Sequence, residues 1–270
     1  MRIVLGICYR GTGFEGWQSQ PSGAGLQDHL ERALGAIADE PVRLVAAGRT
    51  DAGVHATAQV AHFDTTAMRP DSAWVRGTNA HLDPCIAVQW ARPAAEGFHA
   101  RHSALYRRYH YLLYCHPVRP SLLAGLAGWW HRPLELEPMR AAAAHLLGRH
   151  DFSSFRSAEC QSRTPVRELH ALEISRRGAY FQFELRANAF LHHMVRNILG
   201  ALVRIGAGLE PPEWMAGLLA ARDRRRAPAT FAAEGLYLTG VAYPPAHGHF
   251  PAGPLPWPWD GSTDAGIDPA

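Results

Sequence analysis

An arginine and an aspartate two positions apart, Arg49 and Asp51, lie inside the glycine-bounded run GRTDAGVHA at residues 48–56. Apolar stretches at 42–47 and 57–63 read as strands on either side of it. On an extended backbone, residues i and i+2 point to the same side, so Arg49 and Asp51 are expected to face one cleft together. A carboxylate kept ionised by a neighbouring guanidinium can serve as a nucleophile or a base. An isolated R-x-D at a surface hairpin does neither, because exposed ion pairs contribute only about 0–1 kcal/mol. The remainder of the chain has to decide between the two readings.

Several other chemistries are excluded by what the chain lacks. All 27 cationic side chains are arginine, so Schiff-base catalysis and a P-loop lysine have no side-chain amine to use. Cys8, Cys85, Cys115 and Cys160 are widely spaced and form no C-x-x-C, which argues against a metal or redox centre. Of the 16 histidines, His99 with His102 and His192 with His193 form close pairs. Neither pair has partners at zinc-ligand spacing, and both read as solvated or hydrogen-bonded. The run GTGFEG at residues 11–16 has the glycine spacing of a dinucleotide fingerprint. That fingerprint must open a helix on its last glycine, whereas WQSQPSG follows here. The segment reads instead as a loop carrying Phe14, Trp17 and Gln18 toward a ligand. No metal and no cofactor are expected.

Periodicity supplies the elements that must position Asp51. A strand is expected at 3–9, a helix at 25–38 with Leu26, Leu30, Leu34 and Ile37 on one stripe, a helix at 71–82 and a strand at 86–90. With the two strands around GRTDAGVHA, this is β-α-β-β-α-β. The same order recurs: a strand at 106–114, a helix at 138–147, strands at 166–175 and 179–187, helices at 190–205 and 211–221, and a strand at 236–243. In the long helix, Leu191, Met194, Val195, Ile198, Leu202 and Ile205 form an apolar stripe, with His192, Arg196, Gly200 and Arg204 on another face. Arginines on that face could reach phosphates or Asp51. The fold class is α+β with antiparallel sheets. Residues beyond 243 are rich in proline and glycine and are expected to form an unpacked tail.

The chain has 270 residues and a formal charge of only +3, but its last 24 residues hold Asp260, Asp264 and Asp268 and no arginine. The body is therefore more basic than the whole, in keeping with an RNA partner. No apolar run reaches membrane-spanning length and no signal peptide is evident at the start, so a cytoplasmic protein is expected. The run Tyr106 to Tyr111 interleaves rings with Arg107 and Arg108, a pattern suited to splayed RNA.

The block GRTDAGVHA, followed by AQVAHFD, resembles the signature of the tRNA pseudouridine synthase A family. So do YRGTGFEGWQSQ, FHARHSALYRRYHYLLY, DFSSFRSAECQSRTPVR, NAFLHHMVRNILGALVRIG and EGLYL, in that order, together spanning most of residues 1–243. The resemblance implies two ferredoxin-like halves, 1–104 and 105–245, with sheets joined side by side, a cleft between them, and a disordered tail at 246–270. It implies that Asp51 is the catalytic residue and that Tyr109 stacks on the uracil. Arg49 and Arg196 would hold the carboxylate and steady the nucleotide, and Leu236 would wall off the base. The substrates it implies are uridines 38, 39 and 40 of tRNA, acted on by a homodimer. The alternative is a catalytically silent tRNA-binding protein on the same scaffold.

Overall fold

The computed structural model describes residues 1–255. Ten strands form one mostly antiparallel sheet: β1 (Arg2–Tyr9), β2 (Val45–Ala46), β3 (His55–Asp64), β4 (Ile86–Pro93), β5 (Tyr106–Cys115), β6 (Gly128–Trp130), β7 (Gly148–Asp151), β8 (Val166–Arg177), β9 (Tyr180–Ala187) and β10 (Leu236–Ala242). Their order across the sheet is β4-β1-β3-β10-β5-β9-β8-β7, with β2 on β3 and β6 on β5. The helices are α1 (Leu26–Ala38), the single turn α2 (Thr78–Ala80), α3 (Leu136–Ala144), α4 (Met194–Gly206) and α5 (Trp214–Ala221). The protein is thus α+β, as expected. Among the described residues, no helix is long and apolar enough to cross a membrane.

Local sequence explains most elements. Asp28 in the first turn of α1 accepts the Gly25 N–H at 3.0 Å, satisfying a donor that the helix cannot. Leu26, Leu30 and Leu34 are buried at helical spacing, and each contributes roughly 1.5–3 kcal/mol by leaving water. In β9, Phe181, Phe183 and Leu185 are fully buried, while Gln182, Glu184 and Arg186 between them stay partly exposed. A charge at position 183 would put an ion into the core and break that strand's packing.

Three expectations need correction. The helix expected at 71–82 is a π-helical turn, Ala73–Gly77, continued by α2. The long helix starts at Met194, four residues later than its apolar pattern, because His193 adopts a left-handed backbone with φ 62°. The tail expected beyond 243 is packed over its first part. Phe250 stacks on Phe98 (ring centroids 5.5 Å apart, planes within 11°), Arg92 lies 4.3 Å from its ring centroid, and the Gly253 N–H reaches the Thr239 carbonyl at 3.3 Å. One aromatic ring with a waiting slot outweighs a composition dense in proline and glycine. The tail's remaining residues, 256–270, lie outside the described residues.

The seam that matters is β10, which runs parallel to β3 (Tyr237↔His55, Leu238↔Ala56) and antiparallel to β5 (Leu238↔Tyr109). One strand thereby brings the loop that precedes β3 beside the middle of β5. Buried Arg107 helps to clamp this seam, donating to the carbonyls of Ala47 (2.8 Å), Arg101 (2.7 Å) and Asn188 (3.0 Å).

A titrating group in the core of β3 makes the fold acid-sensitive. His62 is buried against Phe98 and His99, and its Nδ1 accepts the Ala100 N–H at 3.1 Å. Burial, helped by the charges of Arg2 and His99, lowers its pKa to about 4. A histidine neutral in the fold and protonated in the unfolded chain contributes fully above about pH 6.5. That contribution is lost as pH falls from there toward the folded value, by on the order of 2 kcal/mol. His62→Asn keeps an acceptor for Ala100 and is expected to flatten the fall in urea midpoint between pH 7 and 4. Equal slopes in the two proteins would refute this.

Candidate active site

The loop from Gly48 to Val54 is pinned from both sides. Gln59 Nε2 donates to the Gly48 carbonyl at 2.7 Å, the Thr50 hydroxyl meets Tyr9 Oη at 2.8 Å, and the Trp17 N–H donates to the Thr50 carbonyl at 2.9 Å. Below it, His55 Nδ1 accepts the Gly11 N–H at 3.0 Å and its Nε2 lies 2.9 Å from the Glu234 carbonyl. Gly16 is needed for this closeness. It has φ +83°, and a Cβ there would lie 2.9 Å from the Thr50 carbonyl oxygen. Trp17 is therefore a buried wall of the loop, 1% exposed, and not a ligand-facing ring as expected from the sequence.

Asp51 projects from this loop with its side chain 20% exposed. Its Oδ2 accepts from Arg196 Nη1 at 2.9 Å and lies 3.3 Å from His193 Nε2, while Oδ1 lies 3.3 Å from His192 Nε2. Burial by itself would raise the Asp51 carboxyl, but the His192 contact, His193 and Arg196 outweigh it and hold the group below its ordinary value. Asp51 is an anion at neutral pH. The same contact raises the His192 imidazole above its usual value, whereas burial lowers His193.

Arg196 is fixed as well as charged, because its Nε donates to the Phe231 carbonyl at 2.8 Å. Tyr109, on β5, is 7% exposed and meets Phe190 edge-on at 5.0 Å. Burial, reinforced by the Asp51 charge, pushes its phenol well above the usual value. Leu236 is buried at the start of β10, opposite Tyr111. Asp51, Arg196, Tyr109 and Leu236 thus gather around the seam of the sheet.

Arg49 does not pair with Asp51. Its Nη1 points across to Gln161 Oε1 at 3.5 Å, on a segment more than a hundred residues away. The expectation used strand geometry, but residues 47–54 belong to no strand, running from a bend at 47–48 through irregular backbone to a turn at 52–53, so no strand pleat sets i and i+2 on one face. Arg204, on the same helix face as Arg196, pairs with Glu210 at 3.0 Å and is not among the partners of Asp51.

The sequence placed His192 on the helix face of Arg196 but gave neither His192 nor His193 more than a solvated or hydrogen-bonded role. Adjacent residues diverge by about 100° in a helix and about 180° in a strand, so a pair aimed at one carboxylate has no periodic signature. Here the positive φ of His193 turns both rings onto Asp51, with their centroids 3.9 Å apart. The donor atoms of Asp51, His192 and His193 lie within 4.8 Å of one another, a spread that could hold a cation. The Arg196 guanidinium already supplies positive charge at that carboxylate.

Comparison with known proteins finds one family throughout the curated relatives. The sequence profile of a family described as tRNA pseudouridine synthase matches residues 7–103 and 142–244. The tRNA pseudouridine synthase A of Burkholderia ambifaria is 56% identical over 259 residues, covering 95% of this chain and 96% of its own. That of Methylibium petroleiphilum is 59% identical over 243 residues, covering 90% and 94%. Among solved structures, that of a Cbf5-Nop10-Gar1 complex aligns at 10% identity with a TM-score of 0.36, over 87% of this chain and 48% of that one, too remote to bear on the site.

Proposed function

This chain belongs to the tRNA pseudouridine synthase family, and from that premise we propose that it isomerises uridines 38, 39 and 40 of the tRNA anticodon arm to pseudouridine, with Asp51 as the reacting group. The reaction breaks the N1 to C1′ bond, turns the freed uracil and joins C5 to C1′. The C5 proton leaves and N1 regains one, so no outside reagent is consumed. The observation that carries the reading is the Asp51 carboxylate, held ionised by Arg196 and two imidazoles yet partly open to solvent. A silent tRNA binder has no use for such a group.

A paired uridine must first be turned out of its stem, at a cost of a few kcal/mol. Arg49, exposed at the rim and not engaged by Asp51, is placed to meet the phosphates or the extruded nucleotide and offset that cost. Two routes are then open to Asp51: attack on C1′, or removal of the 2′ proton to give a glycal. Either needs an ionised oxygen, which the depressed pKa supplies. Tyr109 takes the stacking role. Its raised pKa keeps the phenol protonated at neutral pH and makes it a poor base. Leu236 forms the apolar wall of the base pocket. We read the architecture as two ferredoxin-like halves, 1–104 and 105–245, joined along β10. The working unit is a cytoplasmic homodimer, since a shallow cleft alone gives a tRNA little to grip.

The test uses tRNA labelled with tritium at C5 of uridine. Incubation with the protein should release tritium from tRNAs with uridine at 38, 39 or 40 and none from the same tRNAs with cytidine there. No release from any tRNA would overturn the activity, and undiminished release from the cytidine variants would overturn the positions.

A further inference from the structure

We propose that His192 is the positioning residue of the isomerisation, holding Asp51 so that Oδ1 is the oxygen presented to the extruded nucleotide. This rests on the reading of Asp51 as the reacting carboxylate. A carboxylate offers about four lone-pair sites over its two oxygens. The shortest contact of each partner divides them between the two oxygens: Arg196 Nη1 at 2.9 Å and His193 Nε2 at 3.3 Å on Oδ2, and His192 Nε2 at 3.3 Å on Oδ1. Oδ1 therefore keeps a lone pair for chemistry, and its direction is set by where His192 stands.

His192 is built to stand still. Its carbonyl accepts the Ser157 N–H at 3.0 Å and its own N–H lies 3.5 Å from Cys160 Sγ, so the 157–160 segment braces it from behind. The left-handed turn at His193 and the ring of His193, with centroids 3.9 Å apart, close the other side. An imidazole has only two rotatable side-chain bonds, so a braced backbone places Nε2 narrowly. Arg196 holds the opposite oxygen through a guanidinium that is itself anchored on the Phe231 carbonyl. The carboxylate plane is thus defined from two sides.

His192→Leu removes the N–H while keeping bulk, and His192→Gln returns a donor near the place of Nε2. The leucine variant is expected to lose kcat roughly 100-fold, as about 1 Å of misplacement can cost, with KM and tRNA affinity unchanged. The glutamine variant should recover most of that loss. Wild-type kcat in His192→Leu would overturn the proposal. Tritium release and tRNA binding falling together in both variants, or a glutamine variant no better than leucine, would mark His192 as structural and overturn it equally. Wild type and Asp51→Asn run alongside separate the two levels. An inactive wild type or an active Asp51→Asn removes the reading of Asp51 and this inference with it. An active wild type, a dead Asp51→Asn and an unaffected His192→Leu remove the inference alone.

Discussion

Asp51→Asn should bind tRNA as the parent does and isomerise it at least about 10³-fold more slowly, since loss of a reacting carboxylate costs on the order of 10²–10⁴ in general base chemistry alone. The substitution keeps the shape of the side chain and its place in the pinned loop, so the comparison isolates charge. Affinity should hold because tRNA binding comes mainly from phosphate contacts, and removing an anion from the cleft does not weaken those. Single-turnover tritium release and filter binding on one preparation measure both quantities. Activity within tenfold of wild type, roughly 1.4 kcal/mol of barrier, would remove Asp51 from its role. Stability carries a second signature. The folded pKa of Asp51 is depressed, so its contribution is present above the unfolded value of about 3.9 and is lost as pH falls through the folded value. The asparagine variant should lack that part of the acid transition.

Arg196→Met should be the next most damaging change, because one guanidinium makes two fixed contacts: Nη1 to Asp51 at 2.9 Å and Nε to the Phe231 carbonyl at 2.8 Å. Removing it leaves a carboxylate that is four-fifths buried without its nearest cation and takes away one tether of the 231 segment, which the Phe231 N–H on the Arg196 carbonyl (3.3 Å) and the Thr230 hydroxyl on Asn197 Oδ1 (2.8 Å) still join to α4. Breaking a fully buried pair costs about 3–5 kcal/mol, and with side chains 16% and 20% exposed the loss here should be about 2–3 kcal/mol. The rate should fall about 100-fold or more, the usual cost of removing one charged donor at a reacting centre. Arg196→Lys should recover part of the stability and little of the rate, since an ammonium cannot span both acceptors as the planar fork does. Urea midpoints and single-turnover rates decide. If methionine leaves the rate unchanged, Asp51 does not depend on this cation.

Both predictions concern residues that were legible in the sequence for different reasons. Asp51 stood out through a dense local block, and Arg196 through the resemblance of its block to the family's, because the amphipathic helix, whose stripe of Met194, Val195, Ile198, Leu202 and Ile205 is buried as the spacing requires, offers Arg204 on the same face and does not choose between them. The elements carrying them were readable because side-chain burial repeats every 3.6 or 2 residues within one segment. β6 and β7 escaped notice because GWW and GRHD are too short to show a period.

What the sequence by itself determined was therefore local: the amphipathic α1 and α4, the alternation of β9, the loop that presents Asp51 and the family to which the chain belongs. Tertiary structure alone decided which groups meet. The parallel seam of β10 on β3 sets Asp51 beside Tyr109, the left-handed turn at His193 aims two adjacent imidazoles at one carboxylate, and the irregular loop sends Arg49 to Gln161. Those outcomes depend on strand order and on single backbone dihedrals, which leave no periodic trace along the chain.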